Sequence, residues 1–181
     1  MSLGTEFLSS AIKRFTEYKT LGEKTFAQLS GEQMLHQPNE ASNSIAVIIQ
    51  HLHGNMRSRW TNFLTEDGEK SWRQRDAEFE MHSLAKEQLL NLWEEGWRVF
   101  LDALQSLGEE DLPKTVTIRS QPLVVVDAIN RQLAHYSYHV GQIVYLGRWM
   151  KGADWQSLSI PKGASTTFNQ ELQAKAAEGT K

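Results

Sequence analysis

Apolar residues recurring every three or four positions limit most strongly what this chain can fold into. Between about Ser44 and Leu64 the residues Ile45, Ile49, Leu52, Met56, Trp60 and Phe63 step by four, three, four, four and three. A stripe with that spacing runs along one face of an α-helix and must be buried against other helices. Three further segments carry the same signal. From Thr5 to Leu29 it falls on Leu8, Ile12, Phe15, Tyr18, Phe26 and Leu29. After a predicted N-cap at Ser83 it falls on Leu90, Trp93, Trp97, Leu101 and Leu104, ending at Gly108. From about Leu123 to Lys151 it falls on Ile129, Leu133, Tyr136, Val140, Ile143, Val144 and Leu146. The spacing predicts an all-α protein of four long helices around one core, with Trp93 and Trp97 inside it.

The intervening segments have their own signals. Gly31 stands where the first helix should stop, and Pro38, Asn39, Ser42 and Asn43 mark a loop that contains His36, expected to be solvated. Residues 65–82 are rich in charge and read as a long crossing loop, with a turn at Asp67-Gly68 and with Trp72 and Phe79 pinning it to the bundle. Its acidic residues Asp76, Glu78 and Glu80 are expected to form a solvated face rather than to bind metal. The alternation Thr115-Val116-Thr117-Ile118 after Pro113 predicts a short extended piece or hairpin before the last long helix. Gly141 lies inside that helix, where it costs about 1 kcal/mol relative to alanine, so a close approach by a neighbouring helix or a ligand is expected there. The tail from Ala153 to Lys181 should form a loose final helix or fray, above all over 169–181.

At 181 residues the chain is read as a single domain, 1–181, with residues 1–4 as a cloning scar. Its 19 Lys+Arg against 22 Asp+Glu give a net charge of -3, without the basic cluster that tracks phosphates, so nucleic acid is not an expected partner. No apolar run approaches a membrane span and no secretory signal opens the chain, so a cytoplasmic protein without a membrane partner is expected. The chain has no cysteine. Any metal must therefore be held by histidine or carboxylate.

The candidate site starts from His135 and His139. Four residues apart on a helix, they lie one turn apart on one face, and both imidazoles can reach one point beside it. Position 136 is Tyr, so the zinc-protease HExxH pattern is absent. A third histidine from the second helix would complete a three-histidine site with open positions for water or substrate. Two residues compete for that role. A helical wheel puts His53 roughly 65° and His51 roughly 135° from the centre of the apolar stripe, which favours His53. Imidazole ligands suit zinc or nickel, and Asn55, Gln142 and Asp127 are polar residues that could orient them.

The runs SNSIAVIIQHLHGNMRSRW and AHYSYHVGQ, on the second and fourth predicted helices, together resemble the DinB/YfiT-like metalloenzyme family. The runs HLHGNMRSRWTNFLTEDGEK and SLSIPKG are closest to an uncharacterised bacterial branch of it, and the resemblance extends to about Phe168. It implies an up-down-down-up four-helix bundle and a divalent metal held by His51, His135 and His139. His51 takes the second-helix position because Leu follows it directly and Trp60 stands nine residues on. The resemblance further implies a homodimer and a small-molecule substrate. Relatives include thiol-dependent transferases and isomerases that use bacillithiol or mycothiol, while others have no known reaction. Many relatives carry a second histidine and a basic residue where this chain has Tyr138 and Val140. The leading expectation is a metal-dependent, bacillithiol-type S-transferase, whose reacting group is a metal-bound thiol or water rather than a side chain. The alternatives are a hydrolase using metal-bound hydroxide and a non-catalytic, metal-binding stress-response bundle.

Overall fold

The computed structural model describes residues 2–80 and 82–178; Met1, at the start of the expected cloning scar, and the last three residues of the tail lie outside it. The chain is mostly helical. Its long helices are α1 (Leu3–Phe26), α3 (Ile45–Trp60), α4 (Lys86–Gln105) and α5 (Val125–Lys151), with a short α2 (Gly31–Leu35) and a C-terminal α6 (Ser165–Glu178). One antiparallel hairpin, β1 (Thr115–Ile118) and β2 (Gln121–Val124), pairs Thr115 with Val124 and Ile118 with Gln121. It runs directly into α5, as the alternation at 115–118 predicts.

Helix boundaries follow the local capping chemistry. Ser44 caps α3 by accepting the Val47 N–H at 3.2 Å. Gly31 does not end α1 but opens α2, where Ser30 and Gln33 form a reciprocal capping box. α1 has already stopped at Phe26 rather than at Leu29. Ser83 does not cap α4: the helix starts at Lys86, and the Gln88 side chain accepts the Ala85 N–H at 2.8 Å.

The four long helices share one core. α3 packs on α4 and α5, and α1 on α5 and α4. Phe15, Trp60, Trp97, Phe100 and Tyr136 meet in edge-on and tilted pairs at its centre, with Trp93 and Phe26 beside them. Both predicted core tryptophans, Trp93 and Trp97, are buried. Gly96 admits α3 closely: a Cβ there would stand 3.2 Å from the His53 backbone and the Met56 sulfur. At Gly141 nothing among the described residues lies within 4 Å of a Cβ, so no neighbouring helix makes the expected close approach.

α3 is enclosed around most of its circumference. Its second face is covered by the crossing loop, whose 3₁₀ turn Asp76–Phe79 packs on it. Phe79 pins that loop, with its ring 4.8 Å from the His51 ring. Trp72 is half exposed and meets α3 through the Arg57 guanidinium, 5.3 Å from its ring centroid, a looser contact than that of Phe79. α6 is exposed along its length, a loose final helix.

Candidate metal centre

α3 and α5 run antiparallel where they touch, and the residues facing each other across that contact are polar. His51 Nε2 lies 3.4 Å from His135 Nε2, which lies 3.1 Å from His139 Nε2. One ligand atom from each ring falls within 4.8 Å of the other two. Around a tetrahedral ion with ligands at about 2.0–2.1 Å, neighbouring nitrogens stand about 3.3 Å apart. The three rings therefore have the spacing of a facial ligand set.

Ring orientation points the same way. His51 Nδ1 lies 3.0 Å from Glu78 Oε2, and His139 Nδ1 lies 2.9 Å from Gln142 Oε1. Each of those oxygens accepts, so the Nδ1 atoms carry the protons and the two Nε2 lone pairs face inward. Lone pairs meeting at one point repel one another unless a cation or a shared proton lies between them, and this donor set fits a divalent ion. Burial, and then the charges of His139 and His51, push His135 down to about 3. Burial and then His51 push His139 down to about 4. Both are neutral and able to bind metal at pH 7.

Glu78 belongs to this centre, although its place in a charged loop suggests a solvated face. Arg73 donates to its two oxygens at 2.7 and 2.8 Å. Burial works against the carboxylate's charge, but the hydrogen bonds from Arg73 and then His51 hold its pKa below the usual value. The space Glu78 occupies exists because α3 carries Gly54, where a Cβ would stand 2.1 Å from Glu78 Oε1. A glycine in a helix of otherwise regular period was the available sequence signal.

Below the rings, Asn55 Oδ1 accepts from Gln132 Nε2 at 2.8 Å and from the Tyr136 hydroxyl at 3.1 Å, tying α3 to α5. Burial raises the Tyr136 pKa, so the phenol stays protonated and donates. Gln132 and Tyr136 were not expected among the polar contacts. Asp127 is exposed and does not orient a ring.

His53 is not part of the cluster, contrary to the helical wheel. Its Nε2 lies 3.2 Å from Glu95 Oε2 on α4, and burial lowers its pKa. The wheel assumes that only the apolar stripe is covered; here the crossing loop encloses the His51 side as well, leaving His51 4% exposed. His36 stacks on Trp149, away from the site. Neither Asp76 nor Glu80 joins the histidine cluster.

Over residues 2–164 the sequence matches the family described as Protein of unknown function (DUF1572). The chain belongs to the DUF1572 family. All three clustered histidines, Glu78 and the hairpin lie within the matched residues, whereas α6 lies beyond them. No curated protein matches this DUF1572 chain. No helix among the described residues is long and apolar enough to cross a membrane.

Proposed function

We propose that this DUF1572 protein is a divalent-metal-dependent enzyme whose ion, zinc or nickel, is held by His51, His135 and His139. The observation that carries the reading is the convergence of three imidazole Nε2 atoms, with the opposite ring nitrogens of His51 and His139 engaged by Glu78 and Gln142. His51 and His135 also line a cavity of about 160 Å³, giving a small molecule a way to the centre. In this reading the four long helices form the up-down-down-up bundle of the DinB/YfiT-like class, to which the HxxxH pair and the second-helix histidine are similar.

The reaction we favour is thiol-dependent S-transfer. A divalent cation bound there would supply a Lewis acid that lowers the pKa of a bound thiol or water toward neutrality. Glu78 and Gln142 keep the protons of His51 and His139 on the outer nitrogens. The Asn55–Gln132–Tyr136 network holds α3 against α5 at the height where the rings must meet. With no cysteine in the chain, the sulfur nucleophile has to come from a cosubstrate of the bacillithiol type. Hydrolysis by an activated water is the second reading, favoured by the same access to the rings. Exposed Tyr138, Tyr145 and Trp149 on α5 are consistent with a homodimer.

Elemental analysis of protein purified without a metal-affinity step tests the centre. The expected outcome is about one ion per chain, lost in His51→Ala and His135→Ala. No ion, even after dialysis against zinc or nickel, would remove the metalloenzyme reading. Incubating the loaded protein with an electrophile, with and without a small thiol, separates the reactions: turnover only with thiol supports transfer, and turnover with water alone supports hydrolysis. An ion without turnover in either arm, together with a large drop in melting temperature on chelation, would favour a stress-response bundle stabilised by metal.

A further inference from the structure

We propose that the cavity beside the three histidines receives an oxyanionic group of the substrate, a carboxylate or a phosphoryl group, held by arginines. The proposal deepens the metal-enzyme reading and rests on it for the identification of the ligand as substrate.

Two helical stripes create the site. His51, Asn55 and Arg59 occupy successive turns of α3, and Arg131, His135 and His139 occupy successive turns of α5. Because the helices run antiparallel, the histidines gather at one end of the contact and the arginines at the other. The rise of about 1.5 Å per residue separates Arg59 from His51 by about 12 Å and Arg131 from His135 by about 6 Å. Arg73 and Arg75 join from the crossing loop and Arg119 from the hairpin turn, so five arginines line one cavity. The other lining residues, His51, Asn55, Gln132 and His135, carry no negative charge.

Carboxylates outside the cavity only partly balance these charges. Glu69 serves both Arg59, at 3.2 Å, and Arg119, at 2.9 Å, while Glu78 is taken by Arg73. Asp76 stands 3.8 Å from Arg75 at the exposed rim, and Arg131 has no ion pair among the described residues. Arg59 and Arg73 are both more than nine-tenths buried. Each keeps a buried Nη1 with no hydrogen-bond acceptor among the described residues. Buried charged donors without acceptors are costly, and a planar oxyanion is what a guanidinium fork pairs with best.

Backbone geometry adds an independent observation. Arg119 and Ser120 form the hairpin turn with φ of 56° and 59°, values that favour glycine. The strain is held by Asp67, which accepts the Arg119 N–H at 2.9 Å and the Ser120 N–H at 2.7 Å. An arginine kept in a conformation that glycine would adopt freely, and facing this cavity, points to a role for its side chain. At about 160 Å³ the cavity is close to the roughly 150 Å³ that holds a benzene-sized molecule. It suits one end of a substrate, leaving the remainder to reach the histidine centre.

The test is calorimetric titration of metal-free, desalted full-length protein with inorganic phosphate and, in a second arm, succinate, at ionic strength matched with chloride. The expected result is saturable binding of one anion per chain, weakened about tenfold or more in Arg131→Ala and Arg119→Gly and unchanged in Arg98→Ala, an exposed arginine of α4 outside the cavity. Arg119→Gly suits the positive φ of the turn, and circular dichroism checks that each variant folds. The tighter of the two anions identifies a phosphoryl or a carboxylate ligand. No saturable binding of either anion at millimolar concentrations would overturn the proposal, as would binding insensitive to the arginine substitutions. Zinc titration in phosphate-free buffer runs separately. Zinc uptake without anion binding removes the arginine site alone, and anion binding without zinc uptake removes the metal centre alone.

Discussion

His51 Nδ1 lies 3.0 Å from Glu78 Oε2, and this contact fastens the crossing loop to the inner wall of the candidate centre. The same carboxylate accepts twice from Arg73, so Arg73, Glu78 and His51 form a chain running from the buried loop to the point where the imidazoles converge. A carboxylate on the far nitrogen fixes the tautomer and raises the basicity of the metal-facing one.

Replacing Glu78 with glutamine keeps the shape and removes the charge. Zinc affinity, measured by competition with a chromogenic chelator, is expected to fall about 10- to 100-fold. Stability should fall as well, by up to about 3 kcal/mol, because Arg73 is left buried without its counter-charge. Unchanged affinity with lowered stability would limit Glu78 to anchoring the loop.

Gly54→Ala tests the same contact from the helix side, and its sign is informative. In an ordinary helix interior alanine stabilises by about 1 kcal/mol relative to glycine. Here the new Cβ would stand 2.1 Å from Glu78 Oε1, so the carboxylate must leave His51 or Arg73. The melting temperature is expected to drop rather than rise, together with zinc affinity. A rise in both would mean that Glu78 is not held where the geometry puts it.

The parts of the molecule legible in the sequence are those set by local periodicity. The stripe from Ile45 to Trp60 and the longer one on α5 specify their helices, and Thr115–Ile118 alternates as the first strand of the hairpin does. His135 and His139 were legible for the same reason, since a four-residue step on a helix is geometry within one element. What failed depended on elements distant in sequence. His51 and His53 are separated by which surface the crossing loop covers, and a wheel drawn from α3 alone carries no information about it. Glu78 has no local pattern. Its partners, His51 and Arg73, are assembled by the path of the loop, and of the helical glycines Gly54 rather than Gly141 marked that path. Ser83 failed as a cap because the chain enters α4 along a route that brings Gln88 back to Ala85 instead.

Acid sensitivity of the metal-free protein follows from the depressed histidines. In the unfolded chain both rings take up protons below about pH 6.5, whereas in the folded protein His139 waits until about 4 and His135 until about 3. Between those limits the unfolded state binds more protons, so stability present above pH 6.5 is lost as the pH falls through the window. The ceiling is about 1.4 kcal/mol per pH unit for each ring, reduced by partial solvent access. Asp67 acts in a separate, lower range. The Glu69 backbone N–H, with those of Ser120 and Arg119, outweighs its desolvation and holds it at about 2, so its contribution is lost only below its ordinary value of 3.8. Melting temperatures from pH 7 to 5 should therefore decline in the metal-free native chain and less steeply in His135→Ala. Equal slopes would show that these rings are not held neutral by the fold.

The network under the rings gives a prediction whose cause can be isolated. Asn55 is 6% exposed and its single Oδ1 satisfies both Gln132 and Tyr136. Asn55→Leu keeps the branching and the number of side-chain heavy atoms, so a cavity is not the source of any loss, but two buried donors lose their acceptor. At about 1–3 kcal/mol per unsatisfied group, a destabilisation of about 3 kcal/mol is expected, read as a lower urea midpoint at unchanged slope. Zinc affinity should weaken too, because Asn55 holds α3 and α5 together one turn from His51. The control is His53→Ala, which removes a histidine of the same helix that faces Glu95 and α4. It should leave zinc stoichiometry and affinity unchanged. Loss of zinc in the His53 variant together with retention in His51→Ala would reverse the assignment of the α3 ligand.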